Sequence, residues 1–202
     1  LTVAVAEWLL NRNSTSIDQT LRKWANLYPN AGYGSSFKRF LKSEEGSSLG
    51  STHNGAVMRV SPVGYIATSI DECLRLAKES AAPSHNSKDA VEAAQATAVA
   101  IYMARNGSSK EDIRNYIETR FNYNLRTSYN ALREEIHLAR TDRNGATRFA
   151  NHERIVGART ATEDALIAFL TGRSYEDVIR NAIALGGDAD TEAAIAGGIA
   201  AA

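Results

Sequence analysis

Ser174-Tyr175-Glu176-Asp177-Val178-Ile179-Arg180-Asn181-Ala182-Ile183-Ala184-Leu185-Gly186-Gly187-Asp188-Ala189-Asp190-Thr191 holds, in unbroken order, a helix start, an apolar period, a helix stop and an acidic turn. Ser174 with Asp177 three places on can satisfy orphan backbone donors of a first helical turn. Val178, Ile179, Ile183 and Leu185 then recur at helical spacing. Gly186-Gly187 is the expected left-handed stop. Past Thr191 come Ala193, Ala194, Ala196, Gly197 and Gly198, small residues that allow close backbone approach. The same pattern recurs along the chain. Ser16 to Gln19 opens a segment through Leu21, Trp24 and Leu27 that stops at Pro29. Ser69 to Glu72 leads into Leu74, Leu76 and Ala77, and Ser108 to Glu111 into Ile113, Tyr116 and Ile117. Thr160 to Glu163 leads into Leu166, Ile167 and Leu170, with Gly172 as the stop. Ser87 to Arg105 reads as a long alanine-rich helix ended by Gly107, and its stripe Ala94, Ala98, Ile101 and Met103 as core. No run alternates as a strand. The expectation is a single all-α domain, 1–202, a compact helical bundle of about nine or ten helices, with the helix after Asp190 buried centrally. No fixed repeat is visible, which argues against a solenoid.

Composition narrows the function classes. The chain has 202 residues, 44% hydrophobic, 23% charged and 7% aromatic, and few aromatics with many alanines favour helices. At this size roughly 70% of the unfolded chain's surface becomes buried. Basic and acidic residues number 23 each. Zero net charge argues against nucleic-acid binding by bulk charge, which needs a basic excess. The longest apolar run, Ala193 to Ala202, is too short to span a bilayer. One cysteine, Cys73, excludes an intramolecular disulfide and points to a reducing cytoplasm. Its neighbours Leu74 and Leu76 favour a buried, inert thiol. Leu1-Thr2-Val3-Ala4-Val5-Ala6 starts inside a helical pattern without Met or a basic flank. No signal peptide is visible there, and we expect the first and last residues to be cut points.

Three constellations carry chemistry. In Asp188-Ala189-Asp190-Thr191, two carboxylates and a hydroxyl lie within four residues. Their oxygens are hard ligands, suited to Mg²⁺, Mn²⁺ or Ca²⁺ rather than zinc. The plain alternative is capping, with Asp188 or Asp190 at the helix N-cap. The preceding helix and the direct Asp190-Thr191 junction do not fit a haloacid-dehalogenase-type phosphatase, and the chain lacks the strands of a nucleotide-sugar transferase. The second constellation is Gly50-Ser51-Thr52-His53-Asn54-Gly55-Ala56-Val57-Met58-Arg59, flexible backbone with polar side chains suited to phosphates and sugar hydroxyls, or an ordinary loop. The third is Pro83-Ser84-His85-Asn86, where His85 contacts a ligand or caps the long helix. Thr141 to Ala161, polar and holding Asn144-Gly145, reads as a surface loop. His137 and His152 read as solvent-facing, and Arg154, Arg159 and Arg173 as surface charges.

These constellations, in this order, resemble the ADP-ribosylglycohydrolase family over nearly the whole chain. Asn181 to Thr191 is similar to the family's C-terminal metal signature, Asn54 to Gly64 to its ligand-loop signature, and His85-Asn86 with Ala94-Gln95-Ala96 to a third block. The resemblance implies a compact all-α fold around a dinuclear Mg²⁺ or Mn²⁺ centre. It implies hydrolysis of the bond between ADP-ribose and a protein side chain or small acceptor. Asp188, Asp190 and Thr191 are then metal ligands. Ser51, Thr52, His53, Asn54 and Gly55 line the diphosphate and distal ribose, and His85 touches the ligand near that ribose. The family's first metal motif, Thr-Asp-Asp-Thr, belongs immediately before a helix similar to Leu1 to Leu10, so catalytic residues are expected upstream of Leu1, and a C-terminal tail beyond Ala202. His53 stands where the family often has glycine, and Glu192 where it often has an apolar or amide residue. The rival expectation is a non-catalytic ADP-ribose-binding or crystallin-like structural protein on the same fold.

Overall fold

A computed structural model describes residues 1–141 and 145–202, and within 145–150 the backbone path alone. Among the described residues there are thirteen helices and no strand ladder: α1 (Thr2–Asn11), α2 (Ile17–Leu27), α3 (Ser35–Lys42), α4 (Gly55–Met58), α5 (Ser61–Ile66), α6 (Ile70–Ala81), α7 (Lys88–Arg105), α8 (Lys110–Phe121), α9 (Tyr129–Thr141), α10 (Gly145–Val156), α11 (Ala158–Thr171), α12 (Tyr175–Leu185) and α13 (Ala189–Ala200). The fold is all-α, as the periodicity predicts. The excess over nine or ten comes partly from α4 and α5, each too short to show a period of its own.

The caps explain most boundaries. Ser16 accepts from the Gln19 N–H at 3.1 Å, and Gln19 reaches back to the Ser16 N–H at 3.3 Å. Ser69, Ser87 and Ser174 cap α6, α7 and α12 through one side-chain bond each. Two starts differ from the sequence reading. The α8 box is Ser109 with Asp112, one residue past Ser108, because either of two adjacent serines could serve. α11 starts at Ala158, so Thr160 is already inside it, and its hydroxyl donates to the Glu153 and Gly157 carbonyls. The expected loop 141–161 is largely helix: α10 fills it and Gly157 alone separates α10 from α11. Residues 142–144, Asn144 among them, lie outside the described residues.

α7 is the middle of the molecule. It packs against α4, α5, α6, α8, α11 and α13. A helix apolar on all sides must be buried on all sides. Its Ala94, Ala98 and Val99 enter one hydrophobic cluster, with Trp8, Leu21, Phe40 and Leu76. Ala90, Ala93, Ala96, Ala100 and Ile101 enter another, with Ile117, Leu166, Ala182 and Ile195. Met103 is only partly buried. α13 packs against α7, α11 and α12, burying Ile195, Ala196 and Ile199, yet Ala194 is exposed. α13 also touches α4 and α5, so it is an inner helix as expected, open at Ala194, while α7 takes the middle. Small residues set the spacing at both: a Cβ on Gly197 would meet Ile179 Cδ1 at 2.7 Å.

Two arginines read as surface charges are structural. Arg154 on α10 grips Asp164 of α11 with two bonds, at 2.8 and 3.0 Å, and Glu135 of α9 at 2.6 Å. Burial opposes its charge, but Asp164 and then Glu135 hold its pKa above the usual value. Arg159 donates to the carbonyls of Phe121 and Asn122 and lies 4.3 Å over the Tyr123 ring. Arg173 is exposed. Cys73 is fully buried, and burial pushes its thiol up to about 12, which suppresses the reactive thiolate.

Candidate functional site

The Gly50 to Asn54 segment is stitched on both sides. On one, Leu49 N–H donates to the Pro83 carbonyl and Asn86 N–H to the Leu49 carbonyl, both at 3.1 Å. On the other, Ala158 N–H donates to the Thr52 carbonyl at 2.9 Å and Asn54 N–H to the Val156 carbonyl at 3.1 Å. Ser87 Oγ, besides capping α7, donates to the Ser51 carbonyl at 2.9 Å. The segment thus lies fixed between the α6–α7 and α10–α11 junctions. Two of its N–H groups are already used, Asn54's on Val156 and His53's on Ser51 Oγ at 3.3 Å.

The acidic turn faces it. Gly186 ends α12 in the left-handed region, φ 82°, where glycine is favoured. Arg140 of α9 donates to the Gly186 and Gly187 carbonyls. Asp188 occupies the N-cap of α13 but makes no side-chain cap bond. Its Oδ2 instead accepts from Asn54 Nδ2 at 2.6 Å and Thr191 Oγ1 at 3.1 Å. Burial raises the Asp188 pKa; the Asn54 amide pulls it down and the Asp190 carboxyl pushes it up. Asp190 is exposed, and its Oδ1 accepts the Thr191 N–H at 2.7 Å. Glu192 is fully buried beneath, its Oε1 accepting the Asp188 N–H at 3.0 Å while Oε2 has no partner among the described residues. Burial, then the charge of Asp164, pushes its carboxyl up to about 8. A Cβ on Gly187 would sit 1.9 Å from Glu192 Oε1, so glycine makes room for this buried acid.

Between the loop and the turn lies a cleft of about 870 Å³. Ser51, His53, Asn54, Gly55, His85 and Asp188 line it. Thr52 is exposed, its hydroxyl 3.4 Å from Glu153, and it is not among the lining residues; nor are Asp190 and Thr191, two and three residues past Asp188. Several lining residues escaped sequence reading. His152 stands edge-on to His53 with ring centroids 5.8 Å apart, and His53 Nε2 lies 3.3 Å from Glu153. His137 is exposed on α9. Trp24, Tyr28, Tyr33 and Phe37 from α2, α3 and their connection supply an aromatic rim. Arg59 lines the cleft floor, 2% exposed, with Nε and Nη1 unpartnered among the described residues, and burial lowers its pKa to about 10. The signal for the rim was the aromatic density of residues 24–37; nothing in sequence announced the burial of Arg59.

Asp188, Asp190 and Thr191 offer oxygens only, and the carboxyl of Asp190 hinders ionisation of Asp188. Hard donors whose negative charges oppose one another suit a hard divalent cation. Among the described residues no three His, Cys, Asp or Glu side chains converge. No helix of the described residues is long and apolar enough to cross a membrane.

No curated relative matches the chain. It is similar to a solved structure of an ADP-ribosylglycohydrolase-related protein complex, with 25% identity and a TM-score of 0.68, over 98% of this chain and 67% of the other. The family model for ADP-ribosylglycohydrolase matches residues 1–202. The chain belongs to the ADP-ribosylglycohydrolase family.

Proposed function

We propose that this protein hydrolyses the glycosidic bond joining ADP-ribose to a side chain or small acceptor, with Asp188, Asp190 and Thr191 holding Mg²⁺ or Mn²⁺. The observation that carries the reading is the 2.6 Å bond from Asn54 to Asp188, which ties the ligand loop to the acidic turn across one cleft. Family membership supports the hydrolase class. When bound, the cation supplies Lewis-acid polarisation of water or a ribose oxygen. Asn54 orients the Asp188 carboxylate, and Thr191 Oγ1 holds the same oxygen from the helix side. Ser51, His53 and His85 face the cleft with donors for phosphate and hydroxyl oxygens, and the aromatic rim offers flat apolar faces to an adenine. In the reaction the C1″ bond to the acceptor breaks, a water oxygen takes its place, and a proton goes to the acceptor.

The test uses the full-length protein with peptides ADP-ribosylated on arginine or serine, with Mg²⁺, Mn²⁺ or chelator. Metal-dependent release of ADP-ribose, lost at least a hundredfold in Asp190→Ala, is the expected result. Retained ADP-ribose binding without release from any substrate would make the protein a binding module instead.

A further inference from the structure

We infer that His85 faces the cleft as a neutral imidazole with its proton fixed on Nε2, and that Ser84 and Arg59 are the positioning residues that fix it. Arg59 Nη2 donates to the Ser80 carbonyl at 3.0 Å and to Ser84 Oγ at 2.9 Å. A guanidinium only donates, so Ser84 Oγ is the acceptor in that contact. Ser84 is 1% exposed, and a buried hydroxyl proton needs an acceptor. His85 Nδ1, 2.7 Å from Ser84 Oγ, is the acceptor within reach among the described residues. The reverse arrangement, Nδ1–H donating to Ser84, would give the oxygen two donors and strand its own proton. A neutral ring that accepts at Nδ1 carries its proton on Nε2. Burial opposes the doubly protonated ring, and the buried Arg59 cation next door opposes it further.

The other edge of the ring is turned to Gly55. A Cβ on Gly55 would meet His85 Nε2 at 3.0 Å and Cε1 at 3.2 Å, and both residues line the cleft. Nε2 has no hydrogen-bond partner among the described residues. The relay Arg59–Ser84–His85 therefore presents one N–H donor for a ligand oxygen, a hydroxyl or a phosphate. With its lone pair turned to Ser84, the ring cannot accept a proton from the cleft side, so His85 orients ligand rather than acting as general base. The ligand's identity rests on the proposed function; the proton's position is a property of the free protein.

The ring nitrogens of the ¹⁵N-labelled full-length protein report it directly, in long-range ¹H–¹⁵N correlation spectra between pH 5 and 8. The wild type should show an unprotonated Nδ1 and a protonated Nε2 throughout. Ser84→Ala should give a mixture of tautomers and Ser84→Thr should restore one. ADP-ribose binding should weaken three- to tenfold in Ser84→Ala and recover in Ser84→Thr. A protonated Nδ1 in the wild type, a ring titrating near neutral pH, or a Ser84→Ala spectrum unchanged in tautomer would overturn the inference. Absence of ADP-ribose binding by the wild type would remove the proposed function alone, since the free-protein spectra still decide the proton.

Discussion

His85 illustrates how burial sets chemistry at single residues. Burial first, then the charges of Arg59 and His53, lowers its pKa from 6.5 to about 3. In the unfolded chain the ring binds a proton below pH 6.5; in the fold it does not until near pH 3. The unfolded state therefore holds more protons across that window, and stability falls as pH falls through it. The slope reaches about 1.4 kcal/mol per pH unit at its steepest. Above pH 6.5 the stabilisation is fully present. Thermal denaturation should show melting temperatures of the wild type dropping from pH 6.5 to 4.5 more steeply than those of His85→Asn, which cannot titrate. Parallel slopes would show that the ring is not buried neutral. Residue identities at the site were legible where chemistry is written in the letters: two aspartates and a threonine in one turn, Asn54 beside a glycine. The roles of Arg59, Ser84 and Glu192 were not, although their letters sit in or beside the motifs, because those roles come from burial against Ser80 of α6 and Asp164 of α11.

At the scale of elements, packing distance is set by glycine at one decisive contact. α5 crosses α7 at Gly64, where a Cβ would lie 2.6 Å from the Ala98 carbonyl oxygen and 2.6 Å from Ile101 Cβ. Neither atom is the free end of a flexible side chain, so the helices must part. Gly64→Ala should cost about 1–3 kcal/mol, the usual range for overpacking. Gly50→Ala, whose Cβ would meet no described residue within 4 Å beyond its chain neighbours, is the matched control and should stay within about 0.5 kcal/mol of wild type. Chemical denaturation measures both, and equal stabilities would dismiss the close crossing. Helix starts were readable because capping is local: Ser16, Ser69, Ser87 and Ser174 satisfy the first turn with their own side chains. α10 was hidden because its stability is not local. It is held by Arg154 on Asp164 and Glu135, a contact among three helices that polar composition alone makes look like a loop.

On the scale of the whole molecule, the two hydrophobic clusters share α7 as a common wall. Its alanines alternate between them along one continuous backbone, so neither cluster can lose its packing on α7 without exposing apolar surface of the other. Shared burial of this kind favours all-or-none unfolding. The two tryptophans allow a sharp test, because Trp8 belongs to the cluster of α1 to α6 and Trp24 packs against it. Fluorescence then reports that half alone, whereas far-ultraviolet circular dichroism averages over every helix. If α7 couples the halves, urea titrations followed by the two signals should superimpose, with one midpoint and one slope. If the site's two walls belonged to independently folding parts, fluorescence would change at a different urea concentration from the dichroism. The loop from Gly50 to Asn54 follows the first cluster and the acidic turn opens α13 in the second, so the Asn54–Asp188 bond spans both. Coincident transitions would mean that the candidate site is assembled only when the entire bundle is folded.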